Sequence, residues 1–284
     1  MPRSTAYNPL VLSKTRFLQR VQEAVSDGYV YFTWGVVPIL KAQNLARRFK
    51  DLYLVHIDKN ARFRRKRAGL GNARLLLTYC LDDPTALEFM LLVSNGEHPA
   101  HQLEKLKDAR KAPVVYKELE LVALTLKGRH RPCRTWRLSA AAMAGWRERL
   151  HLHTVRYDKV GLFGDWSSLY MTPGFAGIRR QVGELVSFWR GEWRQHRRDD
   201  PCPMRFREAR EGGPPPRPGI RKEGGMYWPQ KGFPNPSQLP RLFYVRKQAD
   251  CGDSLSVTVR NEKKRLAEHQ EARERLLAEE AVTG

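Results

Sequence analysis

The sequence predicts an α+β fold, and three observations carry that prediction. Apolar residues recur at helical spacing in several stretches. Elsewhere β-branched and aromatic residues cluster or alternate at strand spacing. Up to about residue 150 the two patterns interleave, with hairpin turns between strands instead of regular βαβ crossovers. A chain of 284 residues, 41% apolar and 10% aromatic, can bury a core as one large domain or two small ones.

The elements follow in order. Residues 11–27 place Val11, Phe17, Leu18, Val21 and Val25 on one helical stripe, and Gly28 stops it. "YVYFTW" (29–34) reads as a strand. Pro38 opens a helix over 38–50, and "LYLVHI" (52–57) is its end or a short strand. The run 62–67 reads as a basic loop, followed by the strand "RLLLTYC". Asp82-Asp83-Pro84 turns the chain into "EFMLLVS" (88–94), an antiparallel partner, and Asn95-Gly96 is a strong turn. A helix is expected over 98–111. One long strand is expected over 115–127, returning as 133–139. Ser139 caps a helix over 140–150, and residues 174–198 form a long amphipathic helix.

Residues 199–240 hold ten of the chain's 18 prolines and six glycines, a composition for an extended arm, not a core. "RLFYVRK" (241–247) reads as a late strand, and 257–282 as a helix rich in Glu, Lys and Arg. The expected division is 1–139, an α+β nucleic-acid-binding domain; 140–198, helical; 199–240, the arm; and 241–284, strand plus helix.

Charge points to the partner. The chain has 51 Lys+Arg against 30 Asp+Glu, a net charge of +21. Such self-repulsion costs stability unless a polyanion offsets it; nucleic acid is the commonest such partner, and an anionic membrane surface is the rival. Residues 1–80 hold 15 basic and 4 acidic groups, while 261–284 hold 5 and 6. The front therefore faces the polyanion. The last helix is left to pack on the body of the protein or, with the Pro/Gly arm, on a protein partner.

Two basic segments are the candidate contacts. The first is Arg62, Arg64, Arg65, Lys66 and Arg67, with Gly69, Gly71 and Arg74 after it. Guanidinium forks grip phosphate, and glycines admit a close backbone. The second is a hairpin tip and return strand with Lys127, Arg129, Arg131, Arg134 and Arg137. There Trp136 either stacks on a base or faces the core. Arg179 and Arg180 add a third surface on the long helix.

Other chemistry is thinly represented. Glu97, His98, His101 and Glu104 have the spacing of a metal-holding helical face, which equally suits a helix start with nothing bound. Cys80, Cys133, Cys202 and Cys251 are far apart and form no zinc knuckle. With no apolar run long enough for a membrane helix and no signal-like opening, the expectation is a cytoplasmic protein with no cofactor, no membrane partner and no catalysis.

His151-Leu152-His153 and "LLLTYC" (75–80) resemble two motifs of rolling-circle replication initiators and relaxases. That resemblance implies a metal-dependent endonuclease with the two His as ligands and Tyr157 or Tyr170 as nucleophile. It requires converging His side chains, whereas the preceding run reads as helix, on which they diverge. A broader resemblance rests on "LLVSNGEHPAHQLEKLKDA", "YKELELVALTLKGRHRPCRTWRLS" and "SLYMTPGFAGIRRQVGELV". These stretches look like uncharacterised basic proteins of bacterial plasmids and integrative conjugative elements. They imply DNA or RNA handling in a mobile element. The leading expectation is thus a non-catalytic nucleic-acid-binding subunit of a nucleoprotein assembly. The rivals are the endonuclease and a protein-interaction scaffold.

Overall fold

A computed structural model describes residues 7–125, 130–198 and 254–283. In chain order these form α1 (Lys14–Ser26), β1 (Tyr31–Pro38), α2 (Ile39–Tyr53), α3 (Lys59–Arg67), β2 (Ala73–Tyr79), β3 (Ala86–Val93), α4 (Ala100–Leu103) and β4 (Lys107–Asp108). Then come β5 (Val114–Tyr116), β6 (Leu119–Leu124), β7 (Cys133–Leu138), α5 (Ala140–Val155), α6 (Lys159–Met171), α7 (Ala176–His196) and α8 (Leu255–Thr283). The fold is α+β, with antiparallel sheets of four and three strands.

The chain forms two compact units, Met1–Pro113 with Val245–Gly284, and Val114–Tyr244. The division falls after Pro113 and not after Ser139, for a packing reason given below.

In the first unit the strands lie in the order β2-β3-β1-β4, every pair antiparallel. With α2 between β1 and β2, and the single turn α4 between β3 and β4, this is the strand order of a split βαβ unit. Register puts Leu75, Leu77, Leu87, Leu91 and Val93 on one face. They pack with Ile39, Ala42, Phe49 and Tyr53 of α2. Leu255 and Val259, from the start of α8, complete that core beside Leu10, Val37 and Leu87. The Tyr79 hydroxyl meets Thr258 Oγ1 at 3.3 Å. The opening turns of the last helix are therefore part of the front unit's core and not a separate terminal module. Meanwhile α1 buries Phe17, Leu18, Val21 and Val25 and packs on β2 and β3.

Three expectations change here. The basic stretch 62–67 is helix, not loop. The helix expected over 98–111 is only four residues long. Its second half is drawn into β4, where Tyr31 pairs with Asp108 and Ala109 N–H donates to Val30 O at 2.8 Å. Arg110 clamps this turn through Asp108 at 2.8 Å and the Tyr31 hydroxyl at 2.8 Å. The single strand expected over 115–127 folds back at Lys117, φ +55°, into β5 and β6. No glycine or asparagine marks that turn.

In the second unit β5-β6-β7 is followed by three helices. Gln181 of α7 brackets Leu138 of β7, accepting from its N–H at 2.7 Å and donating to its carbonyl at 2.9 Å. Gly177 seats against the Trp136 carbonyl, where a Cβ would lie 2.5 Å from the oxygen. These contacts attach the hairpin to the helices and set the boundary at Pro113. On the inner stripe of α7, Ile178, Val182, Leu185, Val186, Trp189 and Trp193 are all buried. The arm and the late strand "RLFYVRK" lie outside the described residues. No helix among the described residues is long and apolar enough to cross a membrane.

Candidate nucleic-acid interface

Helix α3 forms although nothing in it is buried. Local chemistry accounts for it. Asp58 is the N-cap, its carboxylate accepting from Ala61 N–H at 2.7 Å. Arg and Lys are good helix formers. The four cations Arg64, Arg65, Lys66 and Arg67 fall in the last turn, where the helix dipole favours positive charge. Ala68 closes the helix, and Gly69 turns the chain at φ +75°.

The two glycines after the helix have a structural explanation. Gly96, φ +105°, lies so close that a Cβ there would sit 2.5 Å from Gly69 O. At Gly71 a Cβ would lie 2.8 Å from His98 Cβ. Gly71 N–H donates to Glu97 O at 2.9 Å, and Glu97 N–H returns to Gly69 O at 3.3 Å. The backbone these glycines admit is the protein's own Asn95–Gly96 turn. Arg65 belongs to the same lock, donating to Gly71 O at 3.0 Å.

Beneath this seat His98 is buried. Its Nδ1 accepts from Ala100 N–H at 3.2 Å and its Nε2 reaches Tyr53 O at 3.3 Å. Burial holds its pKa below the ordinary histidine value, favouring the neutral ring. The Tyr53 hydroxyl donates to Glu104 at 2.6 Å, and burial with that carboxylate pushes its pKa up to about 12. His101 Nε2 lies 3.1 Å from Ser94 O. Of the residues read as a possible metal face, His98 and His101 thus turn to backbone groups and Glu104 to the Tyr53 hydroxyl.

Within α3 the cations divide into two sets. Arg62 is half-buried, bonding to Asp58 O, and Arg65 is occupied as described. Arg64, Lys66 and Arg67 are exposed, and Phe63 among them is 61% exposed. Arg67 lies over the Phe63 ring, 6.0 Å from its centroid. Spacing of i, i+3 and i+4 puts Phe63, Lys66 and Arg67 on one face. Sequence reasoning passed over Phe63. Its signal was an aromatic with no apolar neighbour at helical spacing, the mark of a ring that has no core to enter. It also passed over Trp34, 54% exposed on β1.

The other expected contacts are mostly spent inside the chain. Arg74 pairs with Asp27 at 3.0 Å and lies over the Tyr29 ring at 4.4 Å. Trp136 is 0% exposed and cannot stack on a base; the core reading holds, because register turns it toward Leu121 and α7 covers it. Arg137 pairs with Glu120 at 2.7 Å, across the β6–β7 ladder. Arg179 donates to Gly174 O, and Arg180 pairs with Glu184 at 3.3 Å. Arg134 is half-buried and Arg131 exposed. Lys127 and Arg129 lie outside the described residues.

His151 and His153 both sit on α5 and diverge. His151 Nδ1 meets Glu192 Oε2 of α7 at 2.5 Å. His153 Nδ1 meets Asp158 Oδ2 at 2.9 Å and its Nε2 lies 3.6 Å from Asp165 Oδ2. Asp158 is held below the usual carboxylate range by the Gly161 N–H, whereas burial raises Asp165. The pair does not form the convergent two-histidine site of the replication initiators. No family model, curated protein or solved structure matches the chain.

Proposed function

We propose that the protein binds nucleic acid through its phosphate backbone, with α3 as the principal contact, without catalysing a reaction on it. The observation that carries this reading is the exposed set Arg64, Lys66 and Arg67 around a solvent-facing Phe63. Among the described residues no acidic side chain lies within ion-pair distance of Arg64 or Lys66. A helix that buries nothing contributes little to the core, and the mutual repulsion of its crowded cations is offset when a polyanion is present. Counterion release drives such binding and makes it steeply salt-dependent. Phe63 adds a stacking surface for an unpaired base, and Arg67 already shows the geometry of a cation over that ring. The likeness to plasmid and conjugative-element proteins supports a bacterial nucleoprotein assembly as the setting.

Fluorescence anisotropy with single- and double-stranded DNA and RNA, over a series of salt concentrations, tests the reading. Replacing Arg64, Lys66 and Arg67 by Ala should weaken binding to every sequence alike. Each lost phosphate contact should flatten the log–log salt slope by about 0.7–0.9. An unchanged slope would assign the polyanion contact to another surface. Strand cleavage in the presence of Mn²⁺ would overturn the non-catalytic reading.

A further inference from the structure

We infer that the second unit carries a site for one divalent transition-metal ion of the zinc class, formed by His151, Glu192 and His196. It is distinct from the His151–His153 pairing and independent of the proposed nucleic-acid contact. Three donors come from two helices. Glu192 and His196 are four residues apart on α7, so they share one face, and His151 of α5 meets them there. His151 Nδ1 lies 2.5 Å from Glu192 Oε2, and His196 Nε2 lies 3.6 Å from the same oxygen. All three donor atoms fall within 4.8 Å of one another. The imidazole rings are 5.5 Å apart and nearly perpendicular, at 79°.

This spread suits a tetrahedral ion. Ligands about 2.0–2.1 Å from zinc stand about 3.3 Å apart, a value between the two observed contacts. Small rotations of His151 away from Glu192 and of His196 toward it would bring both there. The supporting helices are held to each other next to these donors. Trp189 and Trp193 are buried beside the site, and Trp189 Nε1 donates to Thr154 Oγ1 at 2.9 Å. Arg197 donates to Thr154 O at 3.0 Å, tying the end of α7 to the end of α5. The His side chains keep 45% and 32% of their surface exposed, so an ion has an entry path and a fourth position for water. Two imidazoles and one carboxylate favour zinc, cobalt or nickel over magnesium or calcium, which prefer all-oxygen shells.

The test uses the full chain, stripped with chelator and titrated with Zn²⁺, and separately with Co²⁺ followed by its visible d–d band. One equivalent should bind, and the Co²⁺ spectrum should be that of a four-coordinate ion. Glu192→Gln and His196→Ala should each weaken binding by about tenfold or more, the scale that even second-sphere partners of metal ligands reach. His153→Ala and His98→Gln should leave it intact. His196 is exposed at the end of α7, so its variant keeps the fold, as far-UV circular dichroism will verify. No saturable binding at one equivalent would overturn the proposal. So would binding that survives both Glu192→Gln and His196→Ala, since the ion would then sit elsewhere.

Discussion

Helix α3 carries four arginines in nine residues and strand β7 two in six, and the fold treats the cations of the two regions differently. On β7 and the facing α7, Arg137, Arg179 and Arg180 bond to Glu120, Gly174 O and Glu184, and the one tryptophan of the strand is sealed in the core. On α3 only Arg62 and Arg65 are tied down, while Arg64, Lys66 and Arg67 surround an exposed Phe63. Both segments look alike as strings of cations. What separates them is whether the fold supplies a partner that a phosphate would first have to displace.

The strongest way to break this contrast is at Trp136. Its replacement by Ala should destabilise the second unit by about 3–5 kcal/mol, the cost of emptying a packed aromatic site. Denaturant unfolding reads this out. A folded variant of unchanged stability that loses nucleic-acid binding would return Trp136 to the interface. Next in size is Leu255→Ala at the start of α8. It should cost about 2–5 kcal/mol in the same assay, because Leu255 closes the core over Ile39 and Leu77. A chain ending near Asp199 should for that reason unfold more readily, whatever it does to assembly.

The α3 triple variant sharpens the contrast directly. Its salt slope should fall by about 2–3 if all three cations touch phosphate, whereas Arg137→Ala with Arg180→Ala should leave the slope alone. Equal losses from both variants would mean that in-chain pairing does not decide which cations bind. A smaller effect belongs to Asp58→Ala, which removes the N-cap of α3 and should cost about 1 kcal/mol of local stability. Faster amide exchange confined to α3 would report it.

The least effect is expected from pH. Burial depresses the His98 pKa in the folded chain, so the unfolded state binds its proton first as pH falls. Its stabilising contribution is full above the unfolded value near 6.5. It is lost as pH drops through the folded value. The denaturation midpoint should fall between pH 8 and pH 5, and by less in His98→Gln. Identical profiles for the two chains would place the pH dependence on another group.

Much of this molecule is determined locally and was legible in the sequence. The helices α1, α2, α5 and α7 and the hairpin β2–β3 follow from apolar spacing, Pro38, Ser139 and the turn residues, because those signals act within a few positions along the chain. The excess positive charge of the front segment is likewise a property of composition. Tertiary structure decided that Arg137 and Arg74 are paired, since Glu120 lies 17 residues from Arg137 and Asp27 lies 47 from Arg74. It also decided that residues 107–108 leave a helical pattern to pair with β1, and that Leu255 and Val259 return to the first sheet. The meeting of His151 with Glu192 and His196 has the same origin. Each of these depends on partners distant in sequence, whose pairing is set by packing and register and leaves no periodic mark on either segment.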